Sequence, residues 1–322
     1  MHRASNSARV DAVVIGRNEG ARLIACLQSL QGKVRRIVYV DSGSTDGSAD
    51  TAAEQGAEVI ALDMSIPFTA ARARNAGLAA LADRAPEFVQ FIDGDCTLSE
   101  GWIDRAADFL DENLRAAVAC GRRRERHPEA SIYNRLCDAE WDTPVGETRA
   151  CGGDAMIRHA PLAAIGGFRE DLIAGEEPEL CLRLRGQGWT IWRLDAEMTL
   201  HDAAIHRFSQ WWRRTARAGH AFAEAASRFD SPQQPFHRRE YRRILAWGVL
   251  LPLISVMLAL VVHPSALLLL LAYPVQVARL TPRLGFAGAF FNTLGKFAEA
   301  SGVLRYHLRR WRGHKPRLIE YK

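Results

Sequence analysis

Four short apolar runs punctuate the first hundred residues, each separated from the next by a stretch of helical character. They read VDAVVIG (Val10–Gly16), RRIVYVD (Arg35–Asp41), AEVIAL (Ala57–Leu62) and EFVQFID (Glu87–Asp93). The runs are continuously apolar rather than alternating, which is the pattern of strands covered on both faces. Between the first two, Leu23, Cys26, Leu27 and Leu30 recur at helical spacing and Gly32 stops the run. STDGSADTAAEQG and TAARARNAGLAALAD supply the next two helices. Strand–helix alternation of this kind predicts an α/β fold whose sheet is doubly wound and mostly parallel, with helices on both faces.

Ligands of such sheets bind outside the carboxyl ends of the strands. Two of the runs end there in acids: Asp41 closes the second, and Asp93-Gly94-Asp95 closes the fourth. Two carboxylates separated by a glycine can converge on Mg²⁺ or Mn²⁺, ions that bridge protein oxygens to substrate phosphates. Solvated turn aspartates are the competing reading. Neither G-x-G-x-x-G nor a P-loop is present, the first turn being GRNEG. A nicotinamide dehydrogenase and a P-loop nucleotidase are therefore disfavoured. Phosphates bound here would be neutralised by a metal and by arginines such as Arg72 and Arg74, which as helix residues can equally be solvated.

The charge is divided along the chain. Residues 205–322 hold 19 Lys+Arg against 5 Asp+Glu, a net of +14, and residues 1–204 hold 23 against 32, a net of −9. The overall +5 is thus no simple nucleic-acid signature. Within the basic part, residues 244–278 contain no Asp, Glu, Lys or Arg over 35 positions. About 20 apolar residues suffice to cross a bilayer. His263-Pro264 interrupts the stretch, and arginines flank both ends, as in a hairpin with both ends on the cytoplasmic side. A second half that is re-entrant, or a buried pair of core helices, also fits the pattern. The aromatic and basic segment that follows, with Arg305, Arg309, Arg310, Arg312, Lys315 and Arg317, reads as an amphipathic membrane-surface helix. Nucleic-acid binding is the rival reading of that cluster, and the adjoining apolar stretch disfavours it. Six cysteines without a C-x-x-C pair suggest scattered thiols in a reducing compartment. The N-terminus lacks the long apolar run of a secretory signal.

The order VVIGRNEG, VYVDSGSTDGS, TAARARNAGL, FVQFIDGD, then CGGDAMIRHAPLAAIGGF and GEEPELCLRLRGQGW, resembles the family 2 glycosyltransferases with the GT-A fold, of the bacterial membrane-attached type. The resemblance runs from about Val10 to His220. It implies that Asp41, Arg74, Asn75 and Asp93 face the nucleotide, and that Asp95, Asp93 and His201 hold the metal. Gly153, Asp154 and Trp189 fall in the segments on the acceptor side. Glu177 stands where the family's catalytic base is usually Asp, so this chain has Glu-Glu where Glu-Asp is expected, and Glu176 is the alternative base. The first turn of a helix also favours acids for electrostatic reasons alone, and His201 can be an ordinary buried histidine. Gln210-Trp211-Trp212-Arg213-Arg214 matches the Q-x-x-R-W segment of processive synthases poorly.

Three regions are expected: a GT-A-like catalytic domain over 9–230, an apolar helical hairpin over 244–280 and a basic amphipathic segment over 284–322. The expected activity is metal-dependent, inverting transfer of a sugar from a nucleotide-sugar, UDP-linked in most such enzymes, to a lipid-linked saccharide or other glycan. The expected cofactor is Mg²⁺ or Mn²⁺. The expected partners are the donor, the acceptor and membrane lipids, with no nucleic acid. The expected place is the cytoplasmic membrane, the catalytic domain facing the cytoplasm. Two other classes remain: a membrane-docked nucleotide-sugar-binding protein without transferase activity, and a nucleotidyltransferase.

Overall fold

The computed structural model describes residues 5–231 and 235–312, which form two compact units that meet in the sequence at Ala204/Ile205. In the first unit the strands are β1 (Val10–Gly16), β2 (Arg36–Asp41), β3 (Glu58–Ala61), β4 (Phe88–Asp93), β5 (Cys96–Leu98), β6 (Ala116–Glu125), β7 (Gly146–Thr148), β8 (Ala155–Arg158) and β9 (Thr190–His201). The helices are α1 (Ala21–Leu30), α2 (Ser48–Glu54), α3 (Ala70–Ala80), α4 (Trp102–Glu112), α5 (Ile132–Trp141), α6 (His159–Ala164) and α7 (Glu176–Gly186).

The sheet runs β3-β2-β1-β4-β8-β6-β9-β5, with β7 also on β9. The expected α/β class and doubly wound start are what the structure shows. The half built from the four apolar runs is entirely parallel, while beyond β4 the sheet is mixed. The chain proceeds from β1 outward to β3, then returns to place β4 on the other side of β1. That reversal opens a crevice at the carboxyl ends of β1 and β4. Gly16 pairs with Asp41 and Ile15 with Asp93, so both acids stand at one level of the sheet edge.

The core explains why the apolar runs are continuous. Val10, Ala12, Val13, Val14, Val38, Tyr39, Val40, Phe88 and Val89 are all fully buried. Leu23, Cys26, Leu27 and Leu30 form the buried stripe of α1. Gly77 lets α3 lie close on the sheet, since a Cβ there would strike Val13 and Val40. All six cysteines are reduced, five of them buried.

The second unit contains α8 (Phe208–Arg228), α9 (Arg238–Leu245), α10 (Leu251–Val261) and α11 (Ala272–Trp311). A π-turn at Ala246–Leu250 joins α9 to α10, and a 3₁₀ run at Pro264–Leu271 leads into α11. Gly285, at φ 67° and ψ 163°, breaks α11 internally. By length and composition, Arg238–Val261 and Pro264–Trp311 are two helices able to cross a membrane. The first has 24 residues, about 36 Å at 1.5 Å per residue. α8 and the later part of α11 pack backbone to backbone through small residues. A Cβ on Gly219 would strike the Glu299 backbone, and one on Gly302 the Ala216 backbone. The α8 residue Gln210 is spent on the helix N-terminus, its Oε1 accepting from the amides of His206 and Arg207, 3.0 Å each. Trp211 is buried edge-on against Phe291. The basic segment expected over 284–322 is described only to Arg312, and Lys315 and Arg317 lie outside the described residues.

Candidate active site

Register builds the centre of the site. β9 lies between β5 and β6, so His201 stands opposite Cys96 on one side and Glu125 on the other. His201 Nε2 faces Asp95 Oδ1 at 3.4 Å, and its Nδ1 faces Glu125 Oε2 at 3.8 Å. Asp95, Cys96 and His201 are buried with donor atoms within 4.8 Å of one another. Burial holds the imidazole below its ordinary pKa, helped by the Arg123 charge and opposed by the neighbouring Glu125 carboxylate. Burial also pushes the Cys96 thiol well up, so it stays protonated. A protonated thiol is no ligand for a hard ion.

Above this centre Arg74 joins α3 to the start of α7. It is almost fully buried, and its guanidinium donates to Glu176 Oε1 at 2.8 Å and to Asp93 Oδ1 at 3.0 Å. Glu177 Oε1 stands 3.2 Å away. Glu176 side-chain exposure is 5% and that of Glu177 is 16%, so Glu177 is the acid that reaches toward the crevice. Burial and then the Glu176 charge push the Glu177 carboxyl up to about 7, with Arg74 pulling the other way. Gly153 lies against the same group. A Cβ there would stand 3.0 Å from both Arg74 Nη2 and Asp93 Oδ2.

Other predicted residues are tied into the surrounding backbone. Asp41 accepts from the amides of Gly43 and Ser44 at 3.0 and 2.9 Å and from Tyr39 Oη at 3.1 Å, fixing the turn after β2. Asn75 is turned toward the 168–170 segment, its amide bonding both backbone groups of Phe168 at 2.8 Å. Arg72 holds the carbonyls of Asp63, Ile66 and Pro67. Asp154 is 1% exposed and bonds the Asp93 amide, Arg123 and Thr199 Oγ1. It therefore sits beneath the crevice. Trp189 packs on the core beyond the far end of α7, about 15 Å along the helix from Glu176.

The 116–146 region supplies what sequence reading missed. Arg123 Nη2 reaches Asp93 Oδ2 at 3.2 Å and Asp154 Oδ2 at 2.7 Å, and its guanidinium lies over Trp141. Glu125 is buried and accepts from the amides of His127 and Ala203 and from Asn134 Nδ2. The available signal was strand alternation. In the run Arg122-Arg123-Arg124-Glu125, positions 123 and 125 share one face, opposite Thr199 and His201. Arg122 and Arg124 turn elsewhere, to Asp138 and Glu197.

The resulting crevice gathers Asp93, Asp95, Glu176 and Glu177 against the guanidiniums of Arg74 and Arg123, with Glu125 and Asp154 buried beneath them. Buried negative charge in excess calls for a further cation. A carboxylate–imidazole pair 3.4 Å apart suits cis positions on an octahedral ion, about 3 Å apart at metal–ligand distances of roughly 2.1 Å.

Residues 11–165 match the model of glycosyl transferase family 2. Pre-mycofactocin glycosyltransferase of Mycobacterium tuberculosis is 28% identical over 239 residues, 70% of this chain and 49% of that protein. The chain thus spans about half the length of the curated relatives it matches. A mannosyltransferase from Pyrobaculum calidifontis, PcManGT, solved with GDP-Man and Mn²⁺, superposes with TM-score 0.65 at 22% identity, covering 92% of this chain and 87% of that one. Residues 1–349 of TarS from S. aureus superpose with TM-score 0.51 at 16% identity, covering 95% and 92%. Both share the fold.

Proposed function

We infer, for a chain that belongs to glycosyltransferase family 2 through residues 11–165, that it moves a sugar from a nucleotide-sugar to an acceptor hydroxyl with inversion. The observation that carries the reading is the convergence of the D-x-D acids, His201 and Glu177 on one crevice at the sheet's carboxyl edge. Asp95 and His201 would hold Mn²⁺ or Mg²⁺, with Asp93 beside them. The ion would stabilise negative charge growing on the leaving diphosphate. That PcManGT holds Mn²⁺ beside GDP-Man supports a cation in the same fold.

Glu177 is the base in this reading. It is the more exposed of the two acids, and its carboxyl is poised near neutrality, where a general base works best. Glu176 is locked onto Arg74 and keeps that guanidinium in place. The longer Glu-Glu pair is thereby divided between one positioning acid and one acting acid. With one base and no covalent nucleophile, the displacement occurs in a single step and inverts the anomeric centre. The raised Glu177 also favours a transferase over a non-catalytic binder.

The donor in our reading is UDP-linked, and the acceptor is a lipid-linked saccharide or another glycan reached from the cytoplasmic side of the membrane. The two apolar helices support the membrane setting, and their arginine-bearing ends support the orientation. The test uses full-length protein in detergent with Mn²⁺, a panel of UDP-sugars and GDP-mannose, and lipid-linked acceptors. Release of nucleoside diphosphate that depends on acceptor is expected. Its absence for every donor and acceptor would refute the reading. Asp95→Ala should lose Mn²⁺ binding while keeping the parent's circular dichroism.

A further inference from the structure

The second unit contains a cleft that sugar transfer does not use. Its volume is about 340 Å³, and it lies between the C-terminal half of α8 and the C-terminal turns of α11. Arg228, Arg309 and Arg310 line it together with Tyr306, His220 and Glu224. Among the described residues, its lining thus brings three guanidiniums and one carboxylate together.

The cleft is built rather than incidental. Arg228 Nη1 donates to Glu224 Oε1 at 2.8 Å, and Arg310 Nη1 donates to Tyr306 Oη at 3.2 Å, so both cations are tethered in the lining. His220 is 3% exposed, and its Nδ1 has no hydrogen-bond partner among the described residues. The nearest carboxylate oxygen, Glu224 Oε2, is 3.9 Å away. Burial and the charges of Arg309 and Arg217 hold the ring neutral at pH 7. A buried polar atom without a partner calls for a ligand that can bond it.

The position of the cleft within the unit indicates the ligand. Ala223 of α8, Ile244 of α9, and Val303 and Tyr306 of α11 share one apolar cluster. Tyr241 Oη also meets His307 Nε2 at 3.0 Å. The cleft therefore stands level with the basic run Arg238–Arg243, which opens the first apolar helix. In a helix that crosses a bilayer this is the level of the lipid phosphates. Planar guanidiniums pair with phosphate oxygens in bidentate fashion.

We propose that this cleft binds a phosphate ester, supplied by the headgroup of an anionic phospholipid. The inference rests on the membrane attachment proposed above and not on the transfer chemistry. Full-length protein in phosphatidylcholine nanodiscs, doped with phosphatidic acid or phosphatidylglycerol, tests it by native mass spectrometry of retained lipid. The parent should retain the anionic lipids in preference to phosphatidylcholine. Arg309→Gln with Arg310→Gln should weaken retention about tenfold for each guanidinium lost. The double Lys variant keeps the charge and should keep most of the binding, and Arg213→Gln on the exposed face of α8 should change nothing. Titration with glycerol 3-phosphate separates the sources. Displacement of lipid assigns the headgroup phosphate as the recognised piece, and binding of the soluble ester without lipid preference would overturn the lipid source. Equal retention by the parent and the double Gln variant would overturn the site itself. Diphosphate release in detergent free of anionic lipid reports the transfer reading independently.

Discussion

Glu177 and its neighbours place two measurable claims at single residues. If Glu177 is the base, Glu177→Gln should cut kcat by about 10²–10⁴-fold and leave the donor KM nearly unchanged. The parent's kcat should fall as pH drops through about 7, because the base must be ionised, and the steady-state pH profile checks this. The same elevation affects stability with a definite sign. A carboxyl whose pKa is raised by folding stabilises the fold below its ordinary value of 4.5 and loses that contribution as pH rises to about 7. Glu177→Gln should therefore melt a few degrees above the parent at pH 8 and match it near pH 4, as differential scanning fluorimetry would show. Glu125 acts one layer deeper. It faces His201 Nδ1, and such carboxylate–histidine pairs orient a metal ligand. Glu125→Ala should raise the Mn²⁺ dissociation constant about 10–100-fold, read by electron paramagnetic resonance titration.

At the scale of elements, the parallel half of the sheet was legible because its strands are buried on both faces and must be apolar throughout. β1 was read to the residue, and β2, β3 and β4 to within one residue at each end. The acids at the strand ends were legible for the same reason, since a polar residue after an apolar run marks the ligand edge. Beyond residue 100 that logic fails. β6 ends in three arginines and a glutamate, and although alternation separates Arg123 from Arg124, it does not say which of the two faces the crevice, because their partners, Asp154 and Glu197, lie far along the chain. The burial of Asp154 beneath the crevice and the place of Trp189 beyond α7 were not legible for a related reason. A segment's position in a family pattern does not show whether a given side chain points into the crevice or beneath it. Close packing between elements also had no sequence signal, because it is visible only as glycines that admit no side chain. Gly77→Ala, which drives a Cβ into Val13, should cost about 1–3 kcal/mol by chemical denaturation.

The whole molecule repeats the charge division in its architecture. The net −9 and +14 parts of the chain correspond to the two units at the residue where they divide. The acids of the first gather at the carboxyl edge of its sheet, and the arginines of the second flank two apolar helices. If those helices cross the bilayer, carbonate washing should leave the protein in the membrane pellet and only detergent should release it. The strand order adds a consequence for how such a molecule is made. β9 is the last strand synthesised, yet it occupies an interior position between β6 and β5 and brings His201 to its place. A ribosome that has translated the first 189 residues has made every other strand and still lacks the histidine that completes the Asp95–Cys96–His201 group. The crevice closes only when residue 201 joins the sheet, and the first apolar helix, beginning at Arg238, follows with only α8 between them. In the reading proposed above, assembly of the site and entry into the membrane are thus neighbouring events in the life of the nascent chain.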